Sequence, residues 1–167
     1  MSMDTLQDLF VDELKDAYSA ERQVIAALPK MAKAAKSPKL KQGFRKHERQ
    51  SRQHVKRIEQ ICRRLGVSPK GKKCKGMEGL LKEGQEIAKE KGSPAVIDAA
   101  LIAAAQRVEH YEIAAYGCLR NYARLLGHAQ AVKLLQQTLN EEADTDRGLT
   151  VLAEQEVNND AAIAGWE

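Results

Sequence analysis

Glu109 and Glu112 stand three residues apart inside a long alanine-rich run, Ala100-Leu-Ile-Ala-Ala-Ala-Gln-Arg-Val-Glu-His-Tyr-Glu-Ile-Ala-Ala-Tyr116. At helical spacing both fall on or beside an apolar stripe of Leu101, Ile102, Ala105, Val108, Ile113 and Tyr116. A carboxylate facing a core is costly unless it is paired or bound to a metal. Glu142 and Asp146 repeat the pattern between Leu135, Leu139, Leu149 and Leu152. Two further polar residues interrupt apolar stripes elsewhere: Glu21 in the first helical stretch and His54 in the second, with His47 two turns earlier. Carboxylates can bridge two hard cations and imidazole can fill a remaining position, so this set has the chemistry of a di-iron or di-manganese centre.

The elements that must position these residues are helices. Helix A is expected over residues 4–36, with Asp4 as its N-cap and Pro29 as a kink or a missing hydrogen bond. Ser37-Pro38 restarts the chain into helix B, which runs to about Leu65 and stops at Gly66. A loop follows over 66–76, then a shorter helix over about 77–91. Ser93-Pro94 opens helix C, about 94–126. Gly127-His128 turns tightly into helix D, about 129–157, and a tail from Asn158 carries the single tryptophan, Trp166. No strand pattern or repeat is present. The expected fold is all-α: an antiparallel four-helix bundle, with the short helix in the crossover between B and C. Each long helix then carries its polar anomaly near its own midpoint, and in such a bundle the midpoints share one layer.

Other residues read more plainly. His47 is expected as a core or supporting histidine rather than a ligand, although whether it or Gln50 joins the site is open. His110 points about 100° away from Glu109 and is expected at the surface or just behind the ligands. His128 reads as a helix cap. Tyr18, Tyr111 and Tyr116 read as packing residues, and Cys62, Cys74 and Cys118 as small buried hydrophobes. The basic run of helix B, from Lys41 to Arg64, reads as a solvated face balanced by acidic helix D.

The 167 residues suffice for one domain with a real core, and 43% hydrophobic with only 4% aromatic content makes that core aliphatic. A net charge of +4 permits anionic partners without requiring them. Three scattered cysteines suit a reducing compartment and form no close-spaced metal motif. The opening residues carry no apolar targeting run and no window approaches a membrane span, so the expectation is a cytoplasmic protein without membrane contact.

Four segments carry a resemblance: Asp16–Gln23, Lys73–Leu80, Asp98–Gly117 and Thr138–Asp146. Through them the chain resembles the YciE/YciF family of ferritin-like proteins, a stress-associated bacterial group, over nearly its whole length. The resemblance implies a ferritin-like bundle, a di-iron-type centre with Glu21, Glu109, Glu112, Glu142 and Asp146 as ligand candidates, and a homodimer. Ferritin-like helices usually offer Glu-x-x-His; here Ser51 holds the place of that glutamate, so helix B is expected to give His54.

The metal set is therefore expected to be Glu21, His54, Glu109, Glu112, Glu142 and Asp146, holding two metal ions, most plausibly iron, with manganese or zinc as alternatives. The accompanying function is oxidation of ferrous iron by oxygen or peroxide. The alternative is a non-enzymatic structural or stress protein whose metal only stabilises the bundle. Nucleic-acid binding by the basic edge is a third and weaker expectation. Apolar residues beyond those a single core needs, with Trp166 among them, add to the expectation of a symmetric homodimer rather than a cage.

Overall fold

The computed structural model describes residues 3–164. Its elements are α1 (Leu6–Ala34), α2 (Pro38–Leu65), α3 (Lys75–Ile87), α4 (Pro94–Leu125), α5 (Ala129–Leu152), a π-helical turn (Ala153–Val157) and α6 (Asn158–Ile163). The all-helical class is as expected, and the boundaries differ where local chemistry decides them. Thr5, not Asp4, caps α1. Its hydroxyl accepts from the Asp8 N–H at 3.1 Å, and the Asp8 carboxylate accepts from the Thr5 N–H at 3.0 Å, so two orphan donors are satisfied together. α1 continues through Pro29. α3 starts at Lys75 with Cys74 as its cap and ends earlier than expected. The segment read as a tail from Asn158 is helical to Ile163, while Trp166 lies outside the described residues.

Two sharp turns set the topology. The chain leaves α2 at Gly66, whose φ of 67° is left-handed, with the Val67 N–H bonded back to the Cys62 carbonyl. Gly127 repeats this after α4 with φ 75°, and the His128 N–H reaches the Ala123 carbonyl at 2.8 Å. α1 packs along α2 and α4 along α5, and these two hairpins meet through α1 with α4 and α2 with α5. α3 crosses over and packs against α1 and α4. Asp98 ties the hairpins together from within α4. It is buried and accepts hydrogen bonds from the backbone N–H groups of Lys36 at 2.8 Å and Ser37 at 2.6 Å, both in the α1–α2 turn.

The apolar core is split into two clusters. One contains Phe10, Leu14, Ile58, Ile61, Tyr116, Leu119 and Leu135. The other contains Val24, Leu28, Met31, Leu40, Phe44, Leu101 and Val108. Along each long helix the residues between the two clusters are polar, and they form a buried layer across the middle of the molecule. No helix among the described residues is long and apolar enough to cross a membrane.

Candidate metal centre

Each long helix contributes to this layer through helical periodicity. Glu21 comes from α1; His47, Ser51 and His54 lie along one face of α2; Glu109 and Glu112 lie one turn apart on α4; Thr138 and Glu142 do so on α5. None of these side chains belongs to a residue more than 3% exposed. Two sets of potential donor atoms lie mutually within 4.8 Å: His47 with Glu109, Glu112 and Glu142, and Glu21 with His54 and Glu142. Glu142 belongs to both, which is where a bridging carboxylate would sit.

The two sets are wired differently. His54 Nδ1 lies 3.0 Å from Glu21 Oε1 and 2.9 Å from Glu142 Oε1, and its Nε2 lies 2.8 Å from Glu141 Oε2. Glu141 is itself held by Arg57 through hydrogen bonds of 2.8 and 2.9 Å. The Tyr116 hydroxyl donates to Glu21 Oε1 at 2.5 Å. Around His47 the contacts thin out. Its Nδ1 lies 2.7 Å from Glu109 Oε1, but Nε2 is 3.5 Å from Glu142 Oε2 and 3.9 Å from Glu112 Oε2, with no hydrogen bond.

The electrostatics follow this wiring. Burial opposes charge on His54, but the Glu21 charge and the hydrogen bonds to Glu141, Glu142 and Glu21 outweigh it and push the imidazole up to about 12. Burial pulls His47 below its ordinary value, so it is neutral. Burial raises Glu109 and Glu142 to about 8 each, and raises Glu112 well above the carboxylate range with the charges of Glu142 and Glu21 adding to it. Burial also opposes ionisation of Glu141, but its hydrogen bonds from His54 and Arg57 prevail and bring it down to about 2. Burial raises the Tyr116 hydroxyl well above the usual range, with the Glu21 charge beside it.

The donor set fits metal on one further observation. Every buried side-chain nitrogen or oxygen lacking a hydrogen bond among the described residues belongs to this layer: Glu21 Oε2, His47 Nε2, Ser51 Oγ, Glu109 Oε2, both Glu112 oxygens and both Glu142 oxygens. Native proteins leave few such atoms, and leaving one unpaired costs about 1–3 kcal/mol. Their confinement to one place, on carboxylates and an imidazole converging from four helices, is the arrangement cations would satisfy.

The structure brings together Glu21, His54, Glu109, Glu112 and Glu142, and it adds His47, which the sequence placed in a supporting role. It does not bring Asp146 into either set. Asp146 Oδ1 accepts from Gln106 at 3.2 Å and Oδ2 lies 3.2 Å from Nε2 of the exposed His110. Asp146 follows Glu142 by a full turn, which is enough to carry it past the layer toward the surface of α4. Ser51 faces the layer from α2 and Gln50 instead meets Thr145 at 3.5 Å. Glu141 and Arg57 were missed; an acid adjoining a ligand candidate looks solvated in sequence until a partner helix is beside it. His128 caps α5 by position only, making no capping bond with its side chain; it stacks on Phe10 with ring centroids 5.8 Å apart and meets Gln7 Oε1 at 3.1 Å. Cys62 and Cys74 are buried as expected, whereas Cys118 is exposed. Tyr111 packs less simply than expected, since its hydroxyl lies 3.0 Å from Cys74 Sγ and 3.1 Å from Asp16 Oδ2.

Residues 5–162 match a family model described as a domain of unknown function, DUF892. The chain belongs to the DUF892 family. Protein YciF of Escherichia coli strain K12 is 46% identical over 162 residues, spanning 96% of this chain and 98% of YciF. The crystal structure of YciF, described as a stress protein, superposes with a TM-score of 0.90 over 93% of this chain and 99% of that one. YcfI of Rhodopseudomonas palustris, described as a candidate structural protein, is 41% identical with a TM-score of 0.85, over 90% of this chain and 97% of that one. A Xanthomonas campestris protein at 21% identity, with a TM-score of 0.76 over 93% of this chain and 95% of that one, shares the fold. YciF and YcfI thus share the helical fold that carries the buried polar layer of this chain.

Proposed function

We propose that this protein is a ferritin-like four-helix bundle with a dinuclear carboxylate centre. Glu21 and His54 would hold one ion; His47, Glu109 and Glu112 would hold the other; and Glu142 would bridge them. The observation that carries this reading is the confinement of all orphaned buried polar side-chain atoms among the described residues to that layer. Two bridged ions of iron would supply electron exchange with oxygen or peroxide, which suits oxidation of ferrous iron. The chain's own residues would do the rest. Glu141 accepts from His54 Nε2 and so presents Nδ1 to the ligand set, the supporting arrangement usual behind a ligating histidine. Tyr116 would hold Glu21 in place. The two apolar clusters flank the layer on either side.

Elemental analysis after aerobic purification and iron reconstitution should find about two metal ions per chain, with a marked loss in Glu109→Ala. Absence of iron, manganese and zinc would remove the reading. The second reading, a stress or structural protein in which metal only rigidifies the bundle, is favoured by the descriptions of YciF and YcfI. It predicts that metal raises the melting temperature while added Fe(II) oxidises no faster than in buffer. Rapid stoichiometric oxidation would reject it.

A cytoplasmic homodimer belongs to the same proposal. Exposed Val96, Leu125, Val151 and Ile163 give it apolar surface to cover. Light scattering at tens of micromolar should return twice the chain mass.

A further inference from the structure

A cavity of about 480 Å³ opens between α2 and the C-terminal part of α5 and runs inward to His47 and Glu109. Its walls are mainly apolar, with Leu28 and Met31 from α1, Phe44 from α2, Val108 from α4 and Leu149 and Leu152 from α5, and Gln50 and Thr145 add polar groups. Its mouth carries Lys39, Lys46, Asp144 and Glu156. From these features we propose that the cavity is a binding site for a medium-chain aliphatic carboxylate, tail inward toward His47 and Glu109, carboxylate at the mouth beside Lys46.

Several independent features support this. The volume lies in the range of small-molecule sites, and at about 30 Å³ per non-hydrogen atom, the share of a water molecule, it admits on the order of a dozen such atoms. The π-helical turn begins directly after Leu152, and Gln155 and Glu156 of that turn line the mouth. Such turns in α-helices often mark functional sites. Gly43 and Gly148 line the cavity within α2 and α5 although glycine is a poor helix former, and a Cβ at either would meet nothing within 4 Å. The charge at the mouth selects an anion. Lys39 pairs with Glu156 and Asp144 pairs with Arg147, whereas Lys46 makes no ion pair among the described residues. Leaving the headgroup at the mouth also avoids burying a charge against apolar walls. The cavity would take this ligand whether or not the layer beside it holds metal.

Calorimetric titration of the full chain with decanoate below its micellar concentration tests this, both as purified and after chelator treatment. The expected result is saturable binding of one decanoate per chain with a negative heat-capacity change, the mark of apolar burial. Gly148→Leu and, separately, Gly43→Leu should weaken it at least tenfold while leaving the circular dichroism spectrum unchanged; two positions on different helices guard against one variant misfolding. Lys46→Met should weaken decanoate several-fold and leave decanol unaffected. Absence of saturable binding by both probes, or binding indifferent to both leucine variants, would overturn the site. Decanol binding as tightly as decanoate to the unaltered chain would overturn the assignment of an anionic headgroup.

Discussion

The two histidines of α2 lie two turns apart in the same buried layer, and their surroundings could hardly differ more. His54 is hemmed in by Glu21, Glu141 and Glu142, charged, and backed by the Glu141–Arg57 pair. His47 is neutral, with one close carboxylate and an unpartnered Nε2 facing Glu112, Glu142 and the inner end of the cavity. Burial tends to strip charge from an imidazole, and only a surplus of nearby carboxylate restores it. The His54 half therefore has substantial internal compensation without metal, while the His47 half is the less satisfied of the two. The protein has spent its hydrogen bonds unevenly, and the His47 side is the one with most to gain from an ion.

The strongest way to break that contrast is to remove what both halves share. Glu142→Ala is expected to take the metal content from about two ions per chain to near none, read by elemental analysis. The same variant should also melt lower than the unaltered chain once both are stripped with chelator, because it removes one of the three carboxylates around the charged His54.

Replacing each histidine sharpens the difference. His54→Ala removes the partner of three carboxylates, and breaking a buried ion pair from one side costs about 3–5 kcal/mol. Chemical denaturation of the metal-free variant should show a loss of that order. His47→Ala should cost the metal-free fold less than His54→Ala, since only one carboxylate lies close to it, yet should lose about one ion per chain. Equal destabilisation by the two variants would defeat the comparison. As a control outside the layer, Asp98→Ala should cost about 3–6 kcal/mol by unpairing the Lys36 and Ser37 N–H groups, at a charge-assisted 1.5–3 kcal/mol for each such hydrogen bond, and leave metal content unchanged.

Protons provide a gentler probe. In the metal-free fold Glu109 and Glu142 titrate at about 8 against an ordinary 4.5, and His54 at about 12 against 6.5. All three are raised, so between pH 6.5 and 8 the folded state binds more protons than the unfolded chain. Stability must then fall as pH rises through that window, by roughly 3 kcal/mol per pH unit at about 1.4 kcal/mol for each extra proton held. His47 is lowered, and its contribution has the opposite sign below 6.5. With metal present the slope should reverse, because ions compete with those protons for the same atoms. Thermal unfolding at a series of pH values, with and without chelator, reads both slopes. The smallest expected effect is that of Asp146→Ala, which should leave two ions per chain, since its carboxylate is engaged by Gln106 and His110.

Much of this was legible from residue order alone. The helices and their stops follow from apolar periodicity, Ser37-Pro38, Gly66 and Gly127, all local signals. The anomalous positions of Glu21, His54, Glu109, Glu112 and Glu142 were legible because periodicity reports which face of its own helix a residue occupies. Periodicity does not report how far along or around a neighbouring helix that face points. Asp146 shares the α5 face of Glu142 closely enough to look equivalent, but a turn of displacement gives it to Gln106. His47 looked like a core histidine until three carboxylates from two other helices met it. Glu141 and Arg57 looked like surface charges for the same reason. The cavity is a still purer product of assembly: it exists only where α1, α2, α4 and α5 fail to close on one another, with Gly43 and Gly148 facing it from separate helices. Residue order determined the helices and which of their faces turn inward, because those depend on neighbours within a few residues. The partners, the charge states and the empty space were decided by tertiary structure, because each depends on distances between atoms that lie scores of residues apart in the chain.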